Sequence, residues 1–204
     1  NNPQKSITAY KQVVNSYPNS EEARMAINSL EGVYKDINDI DAYATYVNSL
    51  GKGTIVTASR QDSLTYLAAE NVYMKGSKAN SKAAFNKYLQ SYPNGVFASD
   101  ANFYLGNMAF EAKDYDTALK HLEVVVESNN PKYIEEALII SSGIDFDKGN
   151  YEGAYAYYET LSKVATSKDN KSVGQLVMLR SAYLLKGNDE VVSAAGKLLA
   201  DKKI

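Results

Sequence analysis

His121 is the only histidine in the chain, and there is no cysteine. That pair of facts bounds the chemistry. A zinc site needs at least three donors, and no thiol is present to act as nucleophile, metal ligand or disulfide partner. His121 sits in "LKHLE" beside the apolar Leu122, with no serine, aspartate or cysteine motif around it. It reads as a surface or half-buried structural histidine rather than a general base. "GKGT" at 51–54 faintly resembles a phosphate loop, but the Gly-Lys-Ser/Thr order and spacing are missing. "GIDFDKGNYE" at 143–152 has acidic residues at alternate positions, loosely like a calcium loop. The closing bidentate glutamate is not at the required spacing, so a solvated helix end is the expectation. No catalytic residue, metal or cofactor is assigned, and the chain is read as non-enzymatic.

The other unusual feature is 17 tyrosines against five phenylalanines and no tryptophan. Tyrosine fills seams between packed elements with its hydroxyl at the surface. It also serves in recognition, because it offers area with few rotors. "YAYYE" at 155–159 spreads tyrosines over several helix faces, so at least one is expected to be exposed. The net charge of −2 and the lack of any Lys/Arg cluster argue against nucleic acid, which needs a basic patch. No stretch approaches the ~20 apolar residues of a membrane span.

The elements that would position these residues recur along the chain. "NSYPNS" (15–20) and "QSYPNG" (90–95) are the same turn 75 residues apart. A shift of 36 carries Ala101, Phe110, Tyr115 and Ala118 onto Ala137, Phe146, Tyr151 and Ala154. The repeating unit is about 34 residues long. Each unit reads as two helices. "SDANFYLGNMAFEA" (99–112) has helical spacing without proline, and "YDTALKHLEVVVES" (115–128) places Ala118, Leu122, Val125 and Val126 on one stripe. "KD" at 113–114, "KGN" at 148–150 and "KGND" at 186–189 are tight turns joining the two helices. Tyr-Pro-Asn ends one unit and starts the next, since proline cannot continue a helix. Its tyrosine is expected to plug the seam between units. Gly51 to Ser59 is a longer junction containing the β-prone Thr54-Ile55-Val56-Thr57. It is read as an ordered loop, with a partner contact as the alternative.

"NFYLGNMAFEAKDYDTA" (102–118) resembles the tetratricopeptide repeat. Leu105-Gly106-Asn107 matches its Leu-Gly-Asn, and Asp114-Tyr115-Asp116 with Ala118 matches its Asp-Tyr-x-x-Ala. Gly106 and Ala118 would let the two helices approach closely. Departures are Asn102 where the family has a large aromatic, Ser142 in place of the glycine, and Arg180 in the last copy. The resemblance implies an all-α, right-handed α-solenoid of stacked antiparallel helix pairs. It implies about five and a half units and about eleven helices in a single domain. The units fall at 1–19 (a half unit), 20–52, 59–94, 96–130, 131–167 and 170–204. The stretch 84–126 further resembles bacterial cell-envelope repeats of the Tol-Pal coordinator and outer-membrane assembly lipoproteins. That implies a periplasmic or outer-membrane setting, with the cytoplasm as alternative.

The same resemblance implies that first helices line a concave, peptide-binding groove. Its expected residues are Phe103, Asn107, Phe110 and Glu111, then Ile139, Gly143, Phe146 and Asp147, preceded by Ala69, Tyr73 and Gly76. Asn107 flanked by Phe103 and Glu111 does not suit a carboxylate clamp. A peptide of aromatic or basic character suits better, making the chain a protein–protein interaction scaffold. The alternatives are a self-associating structural module and a carbohydrate-binding accessory domain. Asn2–Ser16 reads as a second helix whose first helix is missing. Its apolar side (Ile7, Ala9, Tyr10, Val13, Val14) is expected to be partly bare, open to self-association, and preceded by further repeats in a longer protein.

Overall fold

In a computed structural model of the protein, residues 2–51, 55–185, 189, 191–193 and 195–196 are described. Among them lie ten numbered α-helices and no strand. The helices are α1 (Pro3–Ser16), α2 (Glu21–Asp36), α3 (Ile40–Ser49), α4 (Ala58–Met74), α5 (Lys78–Ser91), α6 (Ala98–Glu111), α7 (Tyr115–Glu127), α8 (Ile134–Asp147), α9 (Tyr151–Val164) and α10 (Lys168–Leu184). Residues 189, 191–193 and 195–196 are also helical. The "KGN" of the expected last turn and Lys52-Gly53-Thr54 lie outside the described residues.

The pairs α2/α3, α4/α5, α6/α7 and α8/α9 are hairpins joined by short turns. Each turn holds one residue in the left-handed region: Asn38 (φ 54°), Gly76 (84°), Lys113 (61°) and Gly149 (77°). The next residue starts the second helix. Asp39, Asp114 and Asn150 do so as N-caps, accepting from the backbone N–H of Ala42, Thr117 and Gly153. Left-handed glycine followed by a cap is the chemistry expected of "KGN", and in "KD" a lysine takes the glycine's place before the expected cap.

The chain divides into two compact units, residues 1–101 and 102–204, with the boundary inside α6. In the first, α2 contacts its partner α3 and also α4, the first helix of the next pair. Leu30, Tyr34, Ile40, Tyr43 and Val47 form its core with Leu64 of α4. α1 lies against α2, and its apolar side is less bare than expected. Ile7 and Val14 are buried, Tyr10 and Val13 are half-buried, and only Ala9 of that set is exposed. The Lys11 ammonium covers the rings of Tyr34 and Tyr46, 5.6 and 4.4 Å from their centroids.

The long junction is tied down rather than stranded. The Asn48 side chain takes the place of a partner strand, accepting from Val56 N–H at 2.8 Å and donating to Val56 O at 3.3 Å. Val56 is thereby drawn into the core, and Thr57 caps α4.

The two Tyr-Pro-Asn turns differ in a way their sequences hide. Tyr17 and Tyr92 both end a helix by sending their N–H back to Val13 O and Tyr88 O. Tyr17 is 64 % exposed, so it plugs no seam. Tyr92 is half-buried and stacks on Tyr88 at 5.6 Å. After the first turn Ser20 caps α2. After the second, the carboxylate of Asp62 reaches over from α4. It accepts from Val96 N–H at 2.9 Å and from the Tyr88 hydroxyl at 2.6 Å, while that hydroxyl accepts from Phe97 N–H at 3.1 Å. A Cβ on Gly95 would lie 2.5 Å from the Tyr88 oxygen and 2.8 Å from Asp62 Oδ1. Glycine stands there for room, not for backbone freedom.

In the second unit α8 touches α7, α9 and α10. α6 and α7 close on each other at Gly106, where an added Cβ would sit 2.8 Å from Cγ and Cδ2 of the fully buried Leu122. Glu135 of α8 fastens the α9–α10 turn. It accepts from Thr166 N–H, the Thr166 hydroxyl and the Asn170 amide at 2.6–2.7 Å.

Gly106→Ala is expected to lose ~1–3 kcal/mol of stability through overpacking against Leu122, outweighing the helix-propensity gain. Gly143→Ala, where nothing lies within 4 Å, should instead gain up to ~1 kcal/mol. Urea denaturation of the two variants distinguishes the positions.

The Asn170 amide, then Thr166, hold the Glu135 carboxyl below its ordinary value of 4.5. A depressed folded-state pKa contributes stability above the unfolded value and loses it as pH falls through the folded one. Glu135→Gln should therefore lower Tm at neutral pH. The gap to wild type should close as the pH is taken well below 4.5.

Candidate functional site

The helix ends give a register that the sequence shifts leave ambiguous. Lys75, Lys148 and Leu185 are the C-caps of α4, α8 and α10, and Lys113 stands in its turn where Gly76 and Gly149 stand in theirs. Aligned on these ends, Tyr66, Phe103, Ile139 and Leu176 are equivalent. So are Tyr73, Phe110, Phe146 and Tyr183, seven residues later. α4 thus pairs with α6 at a shift of 37. This corrects two expected groove residues. Ala69 is fully buried core, and Gly76 belongs to the turn rather than to the helix.

Two of the first set, Tyr66 and Phe103, form seams, whereas Ile139 is half-buried and Leu176 is exposed. Phe103 is buried and stacks on Tyr133 at 4.0 Å with an interplanar angle of 16°. Leu122, Val125 and Ala137 close the cluster. Its placement in the groove is therefore corrected: its ring faces the core. Tyr66 in the first unit does the same with Phe97, at 4.5 Å and 8°. Tyr133 and Phe97 each stand one residue before a first helix. They are the seam residues that the Tyr-Pro-Asn tyrosines were expected to be.

The second set leaves ring surface open. Phe110 is 39 % exposed, Tyr73 and Phe146 are half-buried, and Tyr183 is 73 % exposed. Three of them lean on the second helix of their own hairpin. Phe110 meets Tyr115 at 6.1 Å, Phe146 meets Tyr151 at 5.4 Å and Tyr73 meets Phe85 at 6.2 Å. In the second unit, half-buried Asn107 lies one turn before Phe110, and half-buried Ile139 lies two turns before Phe146. Glu111 and Asp147 follow the two rings and are exposed. Tyr73 belongs to the first unit.

The other candidates resolve structurally. His121 is half-buried, its Nδ1 2.8 Å from Oδ1 of the buried Asn102. The amide at the place of the family's aromatic thus meets an imidazole from the second helix. Asp145 is buried against Gly153 at the start of α9, whereas Asp147 is exposed. No cluster of three metal-ligating side chains occurs among the described residues. Nor is any helix among them long and apolar enough to cross a membrane. No tyrosine of 155–159 is fully exposed, against expectation: Tyr155 and Tyr157 are half-buried and Tyr158 is buried. Burial pushes the Tyr157 phenol up, with Asp145 and Glu123 adding to it. Burial, then Glu31, pushes the Tyr43 phenol up to about 12. These phenols stay neutral and serve packing.

Two concavities stand out. One of about 390 Å³ follows a mixed face of α1, lined by Gln4, Ile7, Thr8, Lys11, Gln12 and Asn15 among others. The second, of about 460 Å³, lies between α8 and α10. Phe146, Leu179, Arg180, Tyr183, Leu184 and Val191 line it. Sequence reasoning found Phe146 but missed Tyr183, although both stand at the same distance from their helix ends.

Residues 1–20 and 100–131 match the tetratricopeptide repeat family. The fold of the chain is similar to that of YrrB, a tetratricopeptide repeat protein described as having an unusual peptide-binding site. The TM-score is 0.51 at 13 % identity, over 95 % of this chain and 92 % of that one. MamA is similar at a TM-score of 0.43 and 21 % identity, over 75 % of this chain and 82 % of that one. Comparison with the curated proteins finds no match. The chain has the all-α fold of a tetratricopeptide-repeat-like solenoid, and two segments of it match that family. Folds of this class present extended surfaces for protein–protein interaction.

The split between seam and surface has a direct test. Phe103→Ala is expected to cost ~3–5 kcal/mol, as a buried aromatic does. Phe110→Ala should cost well under half of that. Parallel urea melts followed by helical circular dichroism check both.

Proposed function

We propose that this protein is a non-catalytic scaffold that binds a peptide segment of a partner protein along its first-helix surfaces. The observation that carries the reading is the recurrence of Tyr73, Phe110, Phe146 and Tyr183. The same helix position is aromatic in four successive first helices, and each ring is left partly open. In α4 and α6 packing alone does not call for this, because Tyr66 and Phe103, two turns earlier, already fill the core. In the second unit the surface comprises Asn107, Phe110 and Glu111 of α6 with Ile139, Phe146 and Asp147 of α8. Tyr73 presents the equivalent ring in the first unit.

Rigid aromatic side chains anchor peptides at little entropic cost, and an amide such as Asn107 can bond the peptide backbone. Glu111 and Asp147 favour basic side chains near those rings. The peptide-binding site described for YrrB supports the reading by likeness of fold alone. The proposal includes the cell-envelope setting of Tol-Pal coordinator-type repeats, for which the Tyr-Pro-Asn turns at 17–19 and 92–94 are the support.

Phe110→Ala and Asn107→Ala are each expected to weaken binding to a peptide selected from an array by about tenfold, or ~1.4 kcal/mol. Helical content should not change. Wild-type affinity in both variants would sink the surface assignment.

A further inference from the structure

We infer that the pocket between α8 and α10 anchors a peptide segment in which a bulky apolar side chain is flanked by a carboxylate. This rests on the peptide-binding reading above and gives one end of that surface a defined ligand chemistry. The pocket's volume, about 460 Å³, falls in the range of ligand sites. Its walls are the Phe146 and Tyr183 rings with Leu179, Leu184 and Val191, so an aromatic or large aliphatic side chain would find apolar contact on several sides.

Among the described residues that line it, Arg180 is the charged one. It is exposed and makes no ion pair or hydrogen bond among the described residues, unlike Lys148, which is held by Asp116 at 2.6 Å. A guanidinium at the mouth of an apolar pocket is weakly hydrated, and its planar donors match a carboxylate in two bonds. Asp147, exposed beside Phe146, places the opposite sign at the α8 side. A carboxylate is therefore directed to the Arg180 side of the pocket rather than to the α8 side. Exposed Val173 and Leu176 continue an apolar strip along α10, at helical spacing from Arg180.

The test uses fluorescence polarisation with the full chain and three labelled, end-blocked heptapeptides. One has Asp-Phe-Asp at its centre, one replaces Phe by Ser, and one replaces both Asp by Lys. The expected result is that the Asp-Phe-Asp peptide binds at least tenfold more tightly than either control. The preference should weaken as salt is raised from 50 to 500 mM. Arg180→Glu, at an exposed site, should abolish it with unchanged helical content, and Arg180→Lys should keep part of it. Phe146→Ala should weaken the Phe-containing peptides alone. Equal binding of the acidic and lysine peptides, or an acidic preference that survives Arg180→Glu, overturns the inference. Tighter binding of the lysine peptide that depends on Phe110 also overturns it, while leaving the wider peptide-binding reading standing. Absence of binding by all three overturns the inference, and the Phe110 and Asn107 variants then decide the wider reading on their own.

Discussion

Phe103 and Tyr133 lie nearly parallel with centroids 4.0 Å apart, and Tyr66 and Phe97 repeat the arrangement at 4.5 Å. In each case one ring belongs to a first helix and the other to the residue just before the next first helix. The stack therefore fixes where the following hairpin begins. An aromatic pair adds ~0.5–1.5 kcal/mol beyond its buried area. Its larger consequence is geometric. With the linker ring held in place, Ala137 closes over Phe103, Leu122 and Val125 in one cluster, and α8 has its position against α7. A repeat array has no long-range sheet to align its parts. Within each compact unit the stacked rings hold a linker against the first helix that precedes it.

The close approach of the two helices within a hairpin serves the same end by subtraction. Gly106 leaves no room for even one carbon before Leu122, and Ala118 is fully buried nearby. Small residues inside the hairpin and large ones at the seam are complementary. The first bring two helices together, and the second keep one pair from sliding on the next. The Asp62–Tyr88 pair adds a polar lock. Burial, then the bond to Asp62, pushes the Tyr88 phenol up, which keeps its proton available for the carboxylate. That carboxylate also takes up the Val96 N–H in a turn whose Gly95 makes room for it.

Much of this was legible in the residues. The shift of 36, the turn glycine Gly149 and the caps Asp114 and Asn150 all follow from local chemistry, whereas the left-handed Lys113 does not. The small Gly106 announced a close helix pair. What was hidden depends on register and on distant partners. Tyr-Pro-Asn looked like a seam plug because tyrosine beside a junction is apolar and large. Helix phase instead points Tyr17 outward and hands the seam to Phe97 and Tyr133, which lie a few residues downstream in each linker. Phe103 looked like a groove residue because a four-three-one spacing keeps it on the side of Asn107 and Phe110. Spacing places a residue on a face, but it cannot say how far along the helix that face stays open. The Asn48 clamp on Val56 left no motif either, because its partners are backbone atoms eight residues away.

The difference between Phe103 and Phe110 shows where such a fold can carry function. Seven residues separate them, two helical turns on one face. The earlier position lies under the linker ring that aligns the next hairpin, so it is consumed by stability. The later position lies beside the hairpin turn, where the chain is already held by a left-handed residue and an N-cap. A ring there is braced from one side, by Tyr115 or Tyr151, and its other face is not needed by the core. Loss of that face to solvent costs hydrophobic free energy of roughly 25 cal/mol per Å². A partner that covers it recovers this cost without reordering a ring that is already fixed. The end of each first helix is thus the place where this architecture can vary its chemistry freely, from Glu111 and Asp147 at α6 and α8 to Leu184 beside Arg180 at α10. Its alignment stays untouched.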